Sequence, residues 1–462
     1  MIPGTSVDLV LRNGTVCTPG GLREADVHIT DGVIVSLERG GFRGAEEVDA
    51  TGLLILPGGV DAHVHSRDPG FPHKEDFGSL TAAAAAGGIT TVVDMPNTVP
   101  AVENEAVFQE KVEIASSRAL VDFALWGLLG SESRPEDVHG LLDVGAVGLK
   151  AFLGYAIRRS DRQVVYTPRL DDPELEPPAG SGAIARVAPD LARRGAPLAV
   201  HCEDPDILRA FSRPARTYAD LLASRPALAE AVAIASVGVI SQRTGLEVQV
   251  VHLSSALGLA AAREARRAGA RMVLETCPQY LWLSDEDAPR LGPILKVYPP
   301  VRTGADRAAL VEALRTGLID RVGTDHAPHS DGEKLHRSLD EALPGSPGVE
   351  TLYLSCLELA RRQGDVGAAA RWVAEGPARS LGLFPRKGVV EPGADADLLL
   401  VDPSAETVVS AEAMHSHQRL GCLEGQRFGF AVRSVYSRGE LVARDGEPVG
   451  QAGRGRLIRA AR

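Results

Sequence analysis

Two periodicities divide the chain. Residues 6–56 carry short alternating segments, among them Asp8-Leu9-Val10-Leu11-Arg12 and Gly32-Val33-Ile34-Val35-Ser36-Leu37, separated by turns containing Gly, Asn and Asp. Alternation with period two gives a strand one apolar face, so this stretch predicts a small antiparallel sheet. From Pro57 onward, apolar runs alternate with Ala/Leu/Glu/Arg-rich stretches of helical character. A strand that is apolar on both faces needs cover on both sides, the condition of a parallel sheet made of βα units. The runs predict strands at 54–60, 90–94, 123–128, 148–152, 197–201, 247–252, 271–275 and 321–324. Helices are predicted between them at 79–86, 104–116, 182–194, 227–244, 258–269 and 305–316. After about Pro385 short strands return, at 397–401, 432–436 and 440–444.

Eight strands alternating with helices predict an α/β fold, a (β/α)8 TIM-like barrel over residues 57–384. In such a barrel the working side chains gather at the carboxyl ends of the strands. A doubly wound open sheet would alternate similarly, but no Gly-x-Gly-x-x-Gly follows the first strand. Residues 1–56 and 385–462 share the short-strand character and are expected to pair into one small β-sandwich domain. Two stretches, 155–181 and 329–347, break the rhythm with Gly, Pro and charge. Each reads either as a lid over a site or as a solvated excursion.

A chain of 462 residues exceeds the roughly 250–300 at which a single core stops growing, in keeping with a barrel plus an appended domain. The net charge is −12 and no Lys/Arg run occurs, so nucleic acid and anionic membrane are not expected partners. The amino terminus lacks a basic segment followed by an apolar one, and no apolar stretch of about 18 residues is free of charge or glycine, so a cytoplasmic protein is expected. Five cysteines without Cys-x-x-Cys spacing read as reduced thiols.

Candidate chemistry starts with His63 and His65, two apart, which leave a strand from one face. Alone the pair is a weak signal. Lys150, His201, His252 and Asp325 also stand at predicted barrel-strand ends. Singly these would read as core histidines, a salt-bridged lysine and a helix cap. Together they converge on one mouth.

These residues lie in motifs by which the chain resembles the cyclic amidohydrolases of the amidohydrolase superfamily, including dihydroorotase, allantoinase and hydantoinase. The motifs are Pro57-Gly58-Gly59-Val60-Asp61-Ala62-His63-Val64-His65, Asp94-Met95-Pro96-Asn97, Gly148-Leu149-Lys150-Ala151-Phe152, His201-Cys202-Glu203, Val251-His252-Leu253-Ser254-Ser255, Glu275-Thr276-Cys277-Pro278-Gln279-Tyr280 and Gly323-Thr324-Asp325-His326-Ala327-Pro328-His329. The resemblance implies that His63, His65 and Asp325 ligate one divalent ion and His201 and His252 a second. Lys150, carboxylated to a carbamate, would bridge the two. Nitrogen and oxygen donors suit zinc first, with manganese or cobalt as alternatives. The implied reaction opens a cyclic amide by attack of a metal-bridging hydroxide, with Asp325 moving the proton.

For the substrate, the resemblance is nearest to dihydroorotase, in which residues matching Arg67, Asn97 and His329 hold the ring carboxylate. Guanidinium suits carboxylate through paired N–H donors. Tyr298, however, stands where dihydroorotases carry an Asn, and Thr276-Cys277-Pro278-Gln279-Tyr280 is more like allantoinase and hydantoinase. Those activities, or another cyclic ureide or imide hydrolase, are the alternatives. An alternative of another class is a non-catalytic scaffold. The resemblance also implies a homodimer or homotetramer.

Overall fold

Residues 54–60, predicted as one strand, form two strands with different partners. Leu54–Pro57 pairs in parallel with Ser6–Thr18 and antiparallel with Leu398–Asp402. Gly59–Val64 pairs in parallel with Ile89–Asp94 and begins the barrel. Gly58 is the crossing point: its N–H donates to the Asp397 carbonyl at 2.8 Å. A Cβ there would lie 2.3 Å from the Thr90 hydroxyl oxygen, so glycine lets the backbone change sheets. The stretch Leu54–Val60 carries no polar side chain across Gly58, which hides the break from the pattern. The computed structural model describes residues 6–168 and 172–461. Residues 1–5, within the amino terminus read above for a leader, lie outside it, as do 169–171 of the 155–181 insert and 462.

Both chain ends enter one sheet. Its order is Glu447–Pro448, Glu440–Arg444, Ala431–Ser437, Leu398–Asp402, Leu54–Pro57, Ser6–Thr18, Gly21–Thr30 and Val33–Ser36, with Arg43–Asp49 also pairing with Ser6–Thr18. The expected sandwich is thus continuous in its hydrogen bonding. Leu9, Leu11, Val27, Ile34, Ile55, Leu398, Leu400 and Tyr436 converge in a core of its own, each large apolar side chain contributing about 1.5–3 kcal/mol by leaving water.

The barrel strands run parallel. Gly59–Val64, Ile89–Asp94 and Asp122–Leu125 form one arc. Gly127–Leu129, Leu149–Phe152, Leu198–His201, Val248–Val250, Met272–Thr276 and Arg321–Val322 form the other. Asp122–Leu125 and Gly127–Leu129 divide the single predicted strand at Trp126, whose indole N–H donates to Ala62 O at 3.1 Å. The far ends of the arcs meet where His65 N–H donates to His326 O at 2.8 Å. Asp61 reinforces that junction by accepting from Thr324 N–H at 3.1 Å and from the Thr324 hydroxyl. Val60, Ala62, Val93, Ala124, Trp126, Val147, Ala199 and Val251 share one buried cluster.

The predicted helices form within a few residues of their expected limits, and 227–244 matches Ala227–Thr244. Pro135–Val144 and Leu352–Arg362 are helices that the periodicity reading left out. The stretch Tyr218–Thr244 is long and apolar enough to cross a membrane by length and composition. Its Ile234 and Val237, however, are buried in the same cluster as Leu198 and Val248.

Not all of the carboxyl-terminal region stays in the β domain. Phe123 N–H donates to Arg456 O at 3.0 Å and Ile458 N–H to Phe123 O at 2.8 Å, and Ile458 joins the cluster containing Val60 and Trp126. The 155–181 insert is no loose excursion either. It forms a three-stranded sheet of Ala156–Arg158, Val164–Val165 and Leu175–Glu176. Arg162 fastens it, donating to Glu103 at 2.7 and 2.6 Å and to Glu176 at 2.6 Å. In the 329–347 stretch, buried Lys334 donates to Lys296 O at 2.6 Å and Leu343 O at 3.1 Å.

Candidate metal centre and substrate cavity

The six candidate ligands come from five barrel strands and the residues that follow them. His63 lies in the first strand and His65 one residue beyond its end. Lys150 is the second residue of Leu149–Phe152, inside the strand and not beyond it, and His201 ends Leu198–His201. His252 and Asp325 follow their strands with φ of 43° and 51°, left-handed conformations that His and Asp tolerate better than most residues and that gather at functional sites.

His63, His65 and Asp325 offer donor atoms that all lie within 4.8 Å of one another. Asp325 Oδ1 is 3.3 Å from His63 Nε2 and 3.0 Å from His65 Nε2. His201 Nδ1 and His252 Nε2 face each other at 2.9 Å, so these two form a pair of their own. His63 joins the groups, its ring centroid 5.4 Å from both His65 and His252. Among the described residues the other three-donor group is Asp122, Asp395 and Asp397. The Lys387 ammonium already fills it, at 2.7, 3.0 and 2.7 Å.

The buried Lys150 Nζ has no hydrogen-bond partner. Burial pushes this amine down to about 8, against the opposing pull of Asp325 and Glu275. Burial likewise lowers His63 to about 4 and holds His65 and His252 well below the usual histidine value, which keeps the imidazoles neutral. Neutral imidazoles and an unprotonated amine are the forms that ligate or react. The donor set therefore fits a carbamylated Lys150 between two divalent cations, a group that would satisfy the orphaned nitrogen.

Two carboxylates whose roles the sequence did not reveal orient the imidazoles from behind. His63 Nδ1 donates to Glu275 Oε1 at 2.9 Å, and Arg321 donates to Glu275 Oε2 at 2.7 Å. His201 Nε2 donates to Glu203 Oε2 at 2.8 Å, and Arg225 chelates Glu203. Burial works against ionisation of both, but the adjacent Arg321 and Arg225 overcome it and hold each carboxyl at about 2. Carboxylate–histidine pairs of this kind fix ring orientation at metal sites. Both glutamates stand within the quoted motifs, so the signal was present without its meaning.

Arg67, Asn97, Tyr298 and His329, the predicted substrate contacts, all line one cavity of about 970 Å³. A small chamber of about 30 Å³ beneath it reaches His63, His201, His252 and Asp325 and shares Arg67, Asn97, Tyr166 and Tyr298 with the larger space. Asn97 Oδ1 also accepts from His65 Nδ1 at 2.7 Å. His329 Nε2 donates to Pro344 O at 2.9 Å, and burial beside Arg67 keeps this imidazole well below its usual value. Tyr298 carries the Arg225 guanidinium over its ring at 3.7 Å. Tyr155, unremarked in the sequence, packs on His201 with centroids 4.4 Å apart.

A barrel of parallel strands with buried His and Lys and a partly buried Asp at its mouth, joined to a β domain from both chain ends, defines a recognisable class. The amidohydrolase family pattern matches residues 54–442, and the chain belongs to that family. It is 36% identical over 452 residues to an allantoinase of Streptomyces avermitilis, covering 96% of this chain and 97% of that protein. It is 32% identical over 460 residues to a dihydroorotase of Methanothermobacter thermautotrophicus, covering 98% and 97%. The solved L-hydantoinase of Arthrobacter aurescens superposes with a TM-score of 0.91 at 29% identity, over 98% of this chain and 100% of that one.

Proposed function

We propose that this protein is a metal-dependent hydrolase of cyclic amides whose preferred ring is a ureide of the allantoin or hydantoin type. The observation carrying the hydrolase reading is the unpartnered, buried Lys150 amine in a site with four histidines and Asp325. All six positions are intact, which disfavours a non-catalytic scaffold. The ring preference draws on the named relatives, where allantoinase similarity exceeds dihydroorotase similarity.

In this reading His63, His65 and Asp325 would hold one divalent ion and His201 and His252 the other, with Lys150, once carboxylated, contributing to both. Bound there, the ions would polarise the scissile carbonyl and make water a nucleophile near neutral pH. Zinc suits the donors best. Asp325 takes the proton of the attacking water and returns it to the departing ring nitrogen, worth about 10²–10⁴ in rate. Burial raises the Asp325 carboxyl above its ordinary value, against His63 and Lys150. Glu275 and Glu203 keep the His63 and His201 rings in place throughout.

A second reading, a dihydroorotase, rests on Arg67, Asn97 and His329 lining the same cavity. Metal analysis together with a hydrolysis panel of allantoin, 5-substituted hydantoins, cyclic imides and dihydroorotate separates the readings. The expected result is about two ions per chain and a kcat/KM for allantoin or a hydantoin roughly tenfold or more above that for dihydroorotate. Turnover of dihydroorotate alone would reverse the ranking. Less than about one tightly held ion per chain with no turnover would leave the scaffold reading.

A further inference from the structure

The 155–181 insert places one side chain where the proposed substrate-binding donors point. Tyr166 Oη accepts from Arg67 Nη1 at 3.1 Å and from Asn97 Nδ2 at 3.4 Å. Arg67 is committed elsewhere too, its Nε donating to Pro328 O at 3.1 Å, while its Nη2 faces His329 Nε2 at 3.5 Å. That His329 nitrogen already serves Pro344 O. The three residues that would bind an exocyclic carboxylate are therefore engaged within the protein, two of them by a single phenol.

The phenol is held from behind as well. The Tyr166 ring meets Tyr155 edge-on with centroids 5.1 Å apart, and Tyr155 packs on His201. Tyr166 lines both the large cavity and the inner chamber, so it stands in the wall between them. A guanidinium presents paired donors that match a carboxylate, and a phenol oxygen occupying one arm of that fork removes the match. A ring bearing a carboxylate must first break the Tyr166 bonds, whereas an uncharged ring need not.

We propose that Tyr166 is a specificity-determining residue that occupies the Arg67 and Asn97 donors and so selects rings without an exocyclic carboxylate over rings that carry one. This inference rests on the cyclic-amide reading above, and it explains how a chain with Arg67, Asn97 and His329 all in place favours an uncharged ureide.

The test is Tyr166→Phe, which keeps the ring and its Tyr155 contact and deletes only the hydroxyl. Binding of orotate, a cyclic ureide with an exocyclic carboxylate, and of uracil, the same ring without it, is measured by calorimetry on the metal-loaded protein, alongside the hydrolysis panel. The expected result is orotate affinity higher by about tenfold, the scale of one charge-assisted hydrogen bond, with uracil affinity unchanged. The dihydroorotate-to-hydantoin ratio of kcat/KM should rise by a similar factor. Unchanged or weaker orotate binding, or equal tightening of orotate and uracil, would overturn the proposal. If orotate tightens while neither form opens any ring, the role of Tyr166 stands and the hydrolase reading falls.

Discussion

At the scale of single residues, Lys150 concentrates the chemistry. It is fully buried, carries no hydrogen bond and stands in a strand whose other residues are apolar. A buried amine without a hydrogen bond costs stability, which is the physical ground for the carbamate proposed there. Lys150→Ala should abolish ring opening and reduce bound metal below half of the wild-type content, measured by elemental analysis. Added short carboxylic acids should restore part of both. Wild-type activity in that variant would remove Lys150 from the centre. The six candidate positions were legible in the sequence because they stand at or near predicted strand ends, within motifs whose resemblance implies a ligand role. Glu203 and Glu275 were not assigned roles, because a carboxylate beside a strand end reads as solvated until Arg225 and Arg321 are seen against it.

At the scale of elements, the barrel rhythm was legible because alternating strands and helices need different periodicities. Boundaries were not, where one apolar run serves two sheets, as at Gly58, or where a single side chain such as Trp126 interrupts a strand. Tyr166 was invisible for a related reason: an insert's place in space is set by tertiary ion pairs and not by local pattern. Arg162, clamped between Glu103 and Glu176, is the main such anchor. Arg162→Ala leaves buried Glu176 without that cation, so the insert should loosen. The expected signs are faster chymotryptic cleavage near Tyr166 and a raised KM, with global unfolding by urea shifted by less than about 2 kcal/mol. Unaltered cleavage would mean that the apolar contacts of Tyr155, Ile157 and Val164 suffice.

At the scale of the whole molecule, barrel and β domain are joined by buried charge. Lys387 Nζ bridges Asp122 of a barrel strand to Asp395 and Asp397, next to the β-domain strand Leu398–Asp402. Lys387→Met should cost about 3–5 kcal/mol in denaturant unfolding, because it leaves buried carboxylates short of a cation; a loss below about 1 kcal/mol would show that Arg438, paired with Asp122, and Arg386, 3.0 Å from Asp395, compensate. His415 makes a second, half-buried link: Nδ1 is 2.9 Å from Glu350 Oε1 and Nε2 is 3.3 Å from Glu447 Oε2. The Glu350 bond raises His415 above its ordinary 6.5. A raised folded-state value stabilises fully below about 6.5 and the benefit is lost as pH climbs through the higher folded value. The His415 contribution, read as the difference in urea midpoint between wild type and His415→Gln, should therefore shrink between about pH 6 and pH 8, by an amount worth about 1 kcal/mol or less.

The strand Leu54–Pro57 also has a consequence for synthesis. It lies between Ser6–Thr18 and Leu398–Asp402 in the sheet, yet the second neighbour is encoded after almost the entire barrel. At ribosomal speeds of about 5–20 residues per second, its outer edge stays unpaired for tens of seconds while the barrel emerges. An open apolar edge is a template for wrong pairing, so nascent chains should depend on chaperones during that interval. Truncation before Leu398 should then leave a barrel beside an incomplete, aggregation-prone sheet.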